Sequence, residues 1–567
     1  LTGVSGSITG TPMYLPANYR IIDGFTYDDA GHSPTVTHTY IVGPGVDLTG
    51  ANLTNANLNG VDLEGANLTG ADLTHVSGSI TGTPTMLPAG YRIITGSTDS
   101  YIFGPDVNLA GADLKNTNLS NVDITGINLE GADLTGAVLT GVSGTITGTP
   151  TLPNGYSVIM GANGAMDSYI FGPGIDLAGA DLTGFNLNGV DLTGINLEGA
   201  DLAGAALTGV TGTITGTPSS MPSGYGVISG PTDSYIIGPN VNLTGANLTD
   251  ADLDGINLTG VTLTGATLIG VSGSITGTPN QPLPTGYSII DGFTYGTDGN
   301  SNTPTISDTY IVGPGVDLTG ANLTNANLNG VDLEGANLTG ADLTHVSGSI
   351  TGTPTMLPAG YRIITGSTDS YIFGPDVNLA GADLKNTNLS NVDITGINLE
   401  GADLTGAVLT GVSGTITGTP TLPNGYSVIM GANGAMDSYI FGPGIDLAGA
   451  DLTGFNLNGV DLTGINLEGA DLAGAALTGV TGTITGTPSS MPSGYGVISG
   501  PNDSYIIGPN VDLSNADLTG ADLIGVNLTG ANLQNADLTD ADLTNAILTG
   551  ADLFGADLIG ANLTNAS

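Results

Sequence analysis

The stretch from Val511 to Ser567 reads VDLSN ADLTG ADLIG VNLTG ANLQN ADLTD ADLTN AILTG ADLFG ADLIG ANLTN AS. Ala or Val stands two residues before each leucine, Asp or Asn usually lies between them, and Gly or Asn usually closes the quintet. A period of five residues fits neither the period of about 3.6 of an α-helix nor the period of about 2 of a simple strand. The pattern predicts a solenoid in which stacked quintets bury a ladder of leucines, represented by Leu513, Leu518, Leu523, Leu528 and Leu533.

The A-(D/N)-L-x-x pattern resembles the pentapeptide repeat family, and dozens of quintets in this chain fit it. The resemblance implies an all-β fold, a right-handed quadrilateral β-helix in which four quintets form one square coil. In that fold the leucine and the preceding Ala or Val point inward. Members of the family differ in what they do, so the resemblance implies the fold and no single function.

The composition excludes several classes of function. The chain has 567 residues, 94 glycines, no cysteine and a net charge of −46, with only five basic residues. Such a charge disfavours contact with nucleic acid phosphates or anionic membranes, and permits basic partners or divalent cations. The sequence has no apolar run of about 18 residues, so no membrane span is predicted. The absence of cysteine fits an extracellular or cell-surface location.

A spacer interrupts the quintets at intervals and begins each time with ITGTP. A turn with proline, a strand after Gly-Tyr, a polar loop, a second tyrosine strand and Gly-Pro follow, which predicts a β-hairpin. We expect the coil to continue through the spacer, with the hairpin as a lateral flap packed on one face. The hairpin tyrosines are candidates for packing on the coil or for lateral contact with another chain. They include Tyr91, Tyr101, Tyr156 and Tyr169.

A larger repeat lies above the quintets, because Thr39–Pro231 is identical, residue for residue, to Thr309–Pro501. The predicted organisation is a first super-repeat over residues 1–270, a second over residues 271–508, and an uninterrupted quintet run over residues 509–567. Duplication of this kind is typical of long surface or fibrous proteins.

The two ends of the sequence share one register. Ala566-Ser567 followed by Leu1-Thr2-Gly3 spells ASLTG, a complete quintet in phase with the run before it. This agreement predicts head-to-tail continuation of the coil, either between copies of the chain or within a longer one. The predicted interface consists of Leu1, Thr2, Gly3, Leu563, Ala566 and Ser567, and the predicted partner is the protein itself.

Acidic residues on neighbouring coils are candidates for a calcium site. Stacked coils lie about 4.8 Å apart, and at that separation two unit charges repel by roughly 1 kcal/mol in water. A shared calcium ion at Asp47, Asp62 and Asp72 would relieve that repulsion. Solvated side chains are the simpler interpretation because no DxDxDG-type loop occurs. No other cofactor is expected, although the Asn and Thr residues offer positions for glycans.

No nucleophile, histidine and acid recur together, so the sequence does not indicate an enzyme. The predicted function is structural: a self-assembling extracellular β-solenoid that forms a filament, sheath or surface stalk. One alternative, implied by the family resemblance, is a protein that mimics DNA and binds a topoisomerase. Another is the spacer region of a giant surface adhesin. Fibres would favour the first hypothesis, and a soluble topoisomerase complex would favour the second.

Overall fold

A computed structural model of the chain describes residues 1–26, 35–161, 167–294, 305–431 and 438–567, and these residues contain strands and turns but no helix. They form two compact units, one of residues 1–268 with 275–285 and one of residues 269–274 with 286–567. The super-repeats over residues 1–270 and 271–508 stay a prediction. The run over residues 509–567 belongs to the second unit.

The strands of the first unit are β1 Arg20–Thr26, β2 Thr35–Val42, β3 Val61–Asp62, β4 Ile80–Thr81, β5 Arg92–Thr95, β6 Ser100–Phe103, β7 Ile127–Asn128, β8 Ile146–Thr147, β9 Ser157–Met160, β10 Ser168–Phe171, β11 Ile195–Asn196, β12 Ile214–Thr215, β13 Gly226–Ser229, β14 Ser234–Ile237, β15 Ile256–Asn257 and β16 Ile275–Thr276. Those of the second unit are β17 Ser288–Thr294, β18 Thr305–Val312, β19 Val331–Asp332, β20 Ile350–Thr351, β21 Arg362–Thr365, β22 Ser370–Phe373, β23 Ile397–Asn398, β24 Ile416–Thr417, β25 Ser427–Met430, β26 Ser438–Phe441, β27 Ile465–Asn466, β28 Ile484–Thr485, β29 Gly496–Ser499 and β30 Ser504–Ile507.

Within each unit the quintets stack as four-sided coils. In the first unit Asp47 pairs in parallel with Asn67, and Asn52 pairs with Asp72. In the second unit Asp512 pairs with Asn532 in the same way. The two members of each pair are four quintets apart along the chain, so each quintet forms one side of a square coil.

The corners of the coil explain why Gly or Asn closes the quintet. The Ala51 N–H donates to the Leu48 carbonyl at 2.9 Å, and Gly50 between them has φ +66°. A bond across three residues with positive φ at the third position defines a type II turn. Glycine adopts that conformation without strain, and asparagine tolerates it, as Asn55 does at φ +59°.

The interior of each coil is a narrow apolar column. Leu518, Leu523, Leu528 and Leu533 have no exposed surface, and Leu513 is 4% exposed. The alanine or valine of each quintet lies beside the leucine in the same core.

The hairpin of each spacer is built into the wall of the coil. In the second spacer β3 pairs in parallel with β4, β4 pairs with β6 through Ile80 and Ser100, and β6 pairs with β5. The coil then resumes, because the Asn108 N–H donates to the Val76 carbonyl at 2.8 Å. The coil therefore continues through the spacer, as expected. The hairpin differs from the expected flap, since Phe103 of β6 is 1% exposed and lies in the core.

Candidate functional site

The outward Asp and Asn residues cap the corners of the coil. The Asp47 Oδ1 accepts hydrogen bonds from the Thr49 N–H at 3.1 Å and from the Thr49 hydroxyl at 2.6 Å. Asn67 of the next coil donates to the same oxygen at 3.3 Å. The hydrogen bonds from the Thr49 hydroxyl and amide lower the pKa of Asp47. The threonine that follows each leucine is thus a partner of the preceding carboxylate or amide.

The three calcium candidates lie on different sides of the coil. Asp47 pairs with Asn67, Asp72 pairs with Asn52, and Asp62 pairs with Thr81. The described residues contain no group of three His, Cys, Asp or Glu side chains arranged to hold a metal ion. A calcium site built from these aspartates therefore remains a prediction.

Lysine strengthens one of these corner caps. The Lys115 Nζ lies 2.9 Å from the Asp133 Oδ2, and the Thr135 hydroxyl donates to Asp133 Oδ1 at 2.6 Å. The Thr135 hydroxyl and amide, and then Lys115, lower the pKa of Asp133 to about 2. Lys385 and Asp403 repeat this arrangement at 3.1 Å in the second unit.

The arginines anchor hairpins to their own coil. Arg92 of β5 donates from Nη2 to the Asn121 carbonyl at 2.8 Å, and Arg362 of β21 donates to the Asn391 carbonyl at 3.0 Å. Arg20 of β1 donates to the Asn59 carbonyl at 2.7 Å. These guanidinium groups bond to backbone of the same chain.

The first tyrosine of each hairpin packs against the Gly-Pro that ends the spacer and donates a hydrogen bond to its proline carbonyl. The Tyr91 hydroxyl donates to the Pro105 carbonyl at 3.0 Å, and a β-carbon at Gly104 would overlap the Tyr91 ring. The Tyr156 hydroxyl donates to the Pro173 carbonyl at 2.8 Å. Burial raises the pKa of both tyrosines.

The second tyrosine of each hairpin points into the coil. The Tyr101 hydroxyl accepts a hydrogen bond from the Asp113 N–H at 3.2 Å, and Tyr101 is 7% exposed. Tyr169 is equally buried, and its ring centroid lies 5.8 Å from that of Phe185. These side chains contact their own coil, and a lateral role for the hairpin tyrosines remains a proposal.

A glutamate one coil before the spacer holds the ITGTP backbone, a role that reasoning from the sequence missed. The Glu64 Oε2 accepts a hydrogen bond from the Thr83 N–H of ITGTP at 2.8 Å. The sequence L-E-G marks the six positions where this bond forms, whereas the coil before Ile275 has L-T-G with Thr259, so the pattern was available as a signal. The same bond recurs at Glu130–Thr149, Glu198–Thr217, Glu334–Thr353, Glu400–Thr419 and Glu468–Thr487.

The predicted head-to-tail residues form part of the coil ladders. In the first unit the Gly3 N–H donates to the Gly45 carbonyl at 2.6 Å, and the Thr2 side chain packs near Gly45. Leu1 is 45% exposed. In the second unit the Ser567 N–H donates to the Ala546 carbonyl at 2.9 Å.

The last corner of the second unit contains the other predicted residues. The Ala566 N–H donates to the Leu563 carbonyl at 3.1 Å, and Leu563 is 41% exposed.

The stacked quintets, type II corners and leucine column define a class of solenoid, and comparison with known proteins identifies it. A family model described as pentapeptide repeats matches residues 45–77, 106–141, 175–211, 240–272, 315–347, 376–411, 445–481, 510–545 and 531–567. The chain belongs to the pentapeptide repeat family, which confirms the family and the right-handed quadrilateral β-helix predicted from its sequence.

Several solved structures match the chain, among them HetL and QnrB1, both at low sequence identity. HetL, a pentapeptide repeat protein involved in heterocyst differentiation regulation from the cyanobacterium Nostoc sp. strain PCC 7120, is 16% identical. The match covers 79% of this chain and 86% of HetL, with a TM-score of 0.07. QnrB1, a plasmid-mediated fluoroquinolone resistance protein, is also 16% identical over 42% of this chain and 82% of QnrB1, with a TM-score of 0.10. Identity this low says nothing about a shared function.

The search of curated protein sequences found no match to the chain. Across the residues that the structure describes, no helix is long and apolar enough to cross a membrane.

Proposed function

We propose that this protein is a structural, non-enzymatic β-solenoid that assembles head to tail into an extracellular filament, sheath or surface stalk. The observation that carries the proposal is that two segments, Gly3-Val4 in the first unit and Gly270-Val271 in the second, make the same hydrogen bonds to the coil that follows them. The Gly3 N–H donates to the Gly45 carbonyl at 2.6 Å, and the Gly270 N–H donates to the Gly315 carbonyl at 2.7 Å. The Asp47 N–H donates to the Val4 carbonyl just as the Asp317 N–H donates to the Val271 carbonyl, both at 2.9 Å.

The equivalent segment of the second unit follows directly on a quintet run. Residues VSGSITGTP after Gly270 repeat those after Gly3, and in the chain Gly270 is preceded by the quintets that end at Leu268. A VSGSITGTP segment with these hydrogen bonds can therefore follow directly on a run of quintets, as it does after Gly270. In the proposed assembly the run over residues 509–567 of one copy supplies that run to residues 1–7 of the next.

Hydrogen bonds between strand edges would supply the axial contact. Addition of a strand to an open sheet edge uses main-chain hydrogen bonds for affinity and side-chain pockets for register. In the proposed assembly the same contact would bury Leu563, and apolar surface removed from water contributes roughly 25 cal/mol per Å². Glycans on outward Asn and Thr residues and calcium on the aspartates are compatible additions.

Electron microscopy of the purified protein tests the proposal, followed by mass determination after heating in denaturing detergent. We expect fibres that release a chain of 56.0 kDa. Fibres that release only far larger chains would mean that the coil continues within a giant protein, as in the adhesin alternative. Discrete particles of one chain would contradict self-assembly.

The net charge of −46 supports one second candidate, a DNA-mimicking protein that binds a topoisomerase. Gel filtration of the purified chain with a bacterial type II topoisomerase distinguishes the two. Co-elution in a soluble complex that DNA displaces would support mimicry, whereas separate elution together with fibres would support the structural role.

A further inference from the structure

A pocket of about 220 Å³ lies between the hairpin and the coil in the fourth spacer, which begins at Ile214. Its polar and aromatic lining residues are Thr193, Thr211, Thr213, Tyr235, Asn242 and Thr244. The sixth spacer, which begins at Ile350, has a pocket of about 210 Å³ in the same place. Its polar and aromatic lining residues are Asn329, Ser349, Asp369, Tyr371 and Asn378. The pocket is therefore a feature of the spacer and occurs in both units.

Each pocket contains an asparagine whose amide oxygen is held at a corner of the coil. The Thr244 N–H donates to the Asn242 Oδ1 at 3.1 Å, and the Ala380 N–H donates to the Asn378 Oδ1 at 3.2 Å. These bonds use the oxygen of the amide, and its NH₂ group has two hydrogens to donate. Each asparagine can therefore donate to a ligand without giving up its bond to the corner.

The tyrosine of each pocket supplies a second donor. The Tyr235 hydroxyl accepts a hydrogen bond from the Asn247 N–H at 3.1 Å, and the Tyr371 hydroxyl accepts one from the Asp383 N–H at 3.3 Å. A hydroxyl that accepts a hydrogen bond still carries its own hydrogen, which it can donate. In the sixth spacer the Asp369 carboxylate adds acceptor oxygens. The pocket thus combines donors, acceptors and one aromatic ring.

This combination favours a small neutral ligand that carries several hydroxyl groups. None of the described residues that line the two pockets is basic, and the net charge of −46 disfavours an anionic ligand. Both volumes lie below the roughly 300–1,000 Å³ of sites for drug-sized molecules, which suits one sugar ring. Sugar hydroxyls both donate and accept hydrogen bonds, so they match donors and acceptors that lie side by side.

The same arrangement recurs in four further spacers. The residues in the place of Asn242 are Asn108, Asp176, Asp446 and Asp512. Each accepts a hydrogen bond at 2.9–3.1 Å from the N–H two residues further on. The buried hairpin tyrosines that precede them are Tyr101, Tyr169, Tyr439 and Tyr505. Three spacers of each unit therefore carry the frame of the pocket.

Successive spacers place this frame on successive sides of the coil. In the first unit Thr147 of the third spacer stacks on Asn128. Asn128 continues the ladder to Asn108 and Ser77, and Ser77 lies one side before Thr81 of the second spacer. The same step separates the fourth spacer from the third. The three frames of the first unit therefore lie on three sides, where they can meet different polymer chains.

We propose that these spacer pockets each bind one sugar ring of a neutral polysaccharide, and that one protein thereby holds several polysaccharide chains. This inference goes beyond the proposed function and does not depend on head-to-tail assembly. Linked sites can exceed the affinity of a single site by about 10²–10⁴. A shallow pocket that binds one ring weakly is therefore sufficient when it is repeated along the coil.

Binding to immobilised polysaccharides tests the proposal. Sensor surfaces coated with dextran, galactomannan, soluble starch or a β-1,3-glucan are exposed to the purified protein, and we expect retention on at least one of them. A blocked variant has isoleucine at the lining position after the leucine, which the coil accepts at Ile524. Its substitutions are Ala110→Ile, Ala178→Ile, Thr244→Ile, Ala380→Ile, Ala448→Ile and Ser514→Ile. Retention of this variant should be weaker by about tenfold or more.

A matched control has isoleucine at the same place in quintets that lie two sides away from the pocket. Its substitutions are Ser120→Ile, Asn188→Ile, Asp254→Ile, Ser390→Ile, Asn458→Ile and Thr544→Ile. The control should bind as the unchanged chain does, and circular dichroism should show that both variants are folded. Equal retention of the blocked and control variants, or retention of the unchanged chain on none of the four surfaces, would overturn the proposal.

Hydrogen exchange locates the site without any variant. Oligosaccharides of the polymer that binds should slow exchange in peptides within residues 232–250, which lie outside the duplicated segments, and leave residues 525–567 unchanged. Slower exchange only outside residues 232–250 would overturn the assignment of the fourth-spacer pocket. None of these measurements depends on fibres, so a failure here leaves the proposed function intact.

Discussion

At the scale of the residue, the glycines of this chain fall into two groups that the sequence does not separate. Gly265 closes an ordinary quintet, and Gly277 lies in ITGTP, yet their φ values are +68° and +69°. A β-carbon at Gly265 would meet nothing within 4 Å, whereas one at Gly277 would lie 2.9 Å from the Thr259 nitrogen. Both glycines have the same left-handed backbone conformation, but only Gly265 has room for a side chain.

We expect Gly265→Ala to cost about 1–2 kcal/mol, the strain of a left-handed alanine, and Gly277→Ala to cost more because the coil must also move. Hydrogen exchange of the peptides that cover residues 256–280 measures the local difference. Both glycines lie outside the duplicated segments, so these peptides are unique in a digest. Equal loss of protection in the two variants would show that backbone strain alone decides the cost.

The corner aspartates predict a loss of stability in acid. The pKa of Asp133 is lowered from 3.8 to about 2, and that of Asp403 is lowered in the same way. Because the folded-state pKa is the lower one, this contribution is complete above the ordinary value and is lost as the pH falls towards 2.

Circular dichroism during an acid titration should therefore show the strand signal weakening between about pH 4 and pH 2. The double variant Asp133→Asn/Asp403→Asn keeps an acceptor for the threonine and removes the titration. Its stability should change less with pH in that window. A transition that is unchanged in the variant would assign acid unfolding to other carboxylates.

The roles of single residues were predictable where a pattern repeats and not where a side chain bonds across coils. The inward leucines and the Gly or Asn corners follow from the period and from turn chemistry. The hydrogen bond from the Thr83 N–H to the Glu64 carboxylate at 2.8 Å joins residues that become neighbours only when one coil stacks on the next. The interpretation of Asp47 as a solvated side chain likewise missed its bonds to Thr49.

At the scale of the element, the hairpins show how a square coil accepts a strand that runs the other way. The β14 residue Tyr235 is 6% exposed, and its hydroxyl accepts a hydrogen bond from the Asn247 N–H at 3.1 Å. In an uninterrupted coil a carbonyl of the neighbouring coil would accept that bond. The tyrosine therefore satisfies a backbone group that the insertion would otherwise leave unpaired.

We expect Tyr235→Phe to cost about 1–3 kcal/mol, because a half-buried N–H loses its acceptor while the ring packing is kept. Hydrogen exchange should accelerate in the peptide that contains residues 240–250. Tyr505→Phe is the matched control, since its hydroxyl accepts from the Asp517 N–H at 3.3 Å. It should accelerate exchange near residue 517 and leave residues 240–250 unchanged, and the reverse pattern would contradict this role.

The hairpin itself was predictable from two aromatic strands around a polar loop, but its position was not. Ile80 pairs with Val61 on one side and with Ser100 on the other. Neither partner is indicated by a local pattern, because both lie far from Ile80 in the sequence. In addition, Ile80 has a parallel neighbour on one side and an antiparallel neighbour on the other. The predicted flap was therefore wrong in its placement although its strands were right.

At the scale of the whole molecule, stability should be distributed along the coil. Each ladder bond joins one coil to the next, as the bond of Asn532 to Asp512 does at 2.9 Å. In such a quasi-one-dimensional array each repeat contacts only its neighbours. A mutation should therefore lower the stability of a few neighbouring coils and leave that of the other coils unchanged.

Leucines of the last run test this expectation. Leu528→Ala should cost about 2–5 kcal/mol, because Leu528 has no exposed surface and the deletion leaves a cavity. In the unassembled chain Leu563→Ala should cost clearly less, because Leu563 is 41% exposed there. Hydrogen exchange should rise in residues 510–567 of the first variant and stay unchanged in residues 232–268. A rise in both regions would indicate one cooperative unit.

The restriction of ladder bonds to adjacent coils has a genetic consequence. Since no ladder bond depends on how many coils lie beyond its neighbours, a recombination event that inserts a whole block alters contacts only at the two cut sites. Thr39–Pro231 and Thr309–Pro501 are still identical, as expected of a block copied too recently for substitutions to accumulate. Length in this protein is thus a trait that unequal crossing-over can change in one generation, while the design of the coil stays the same.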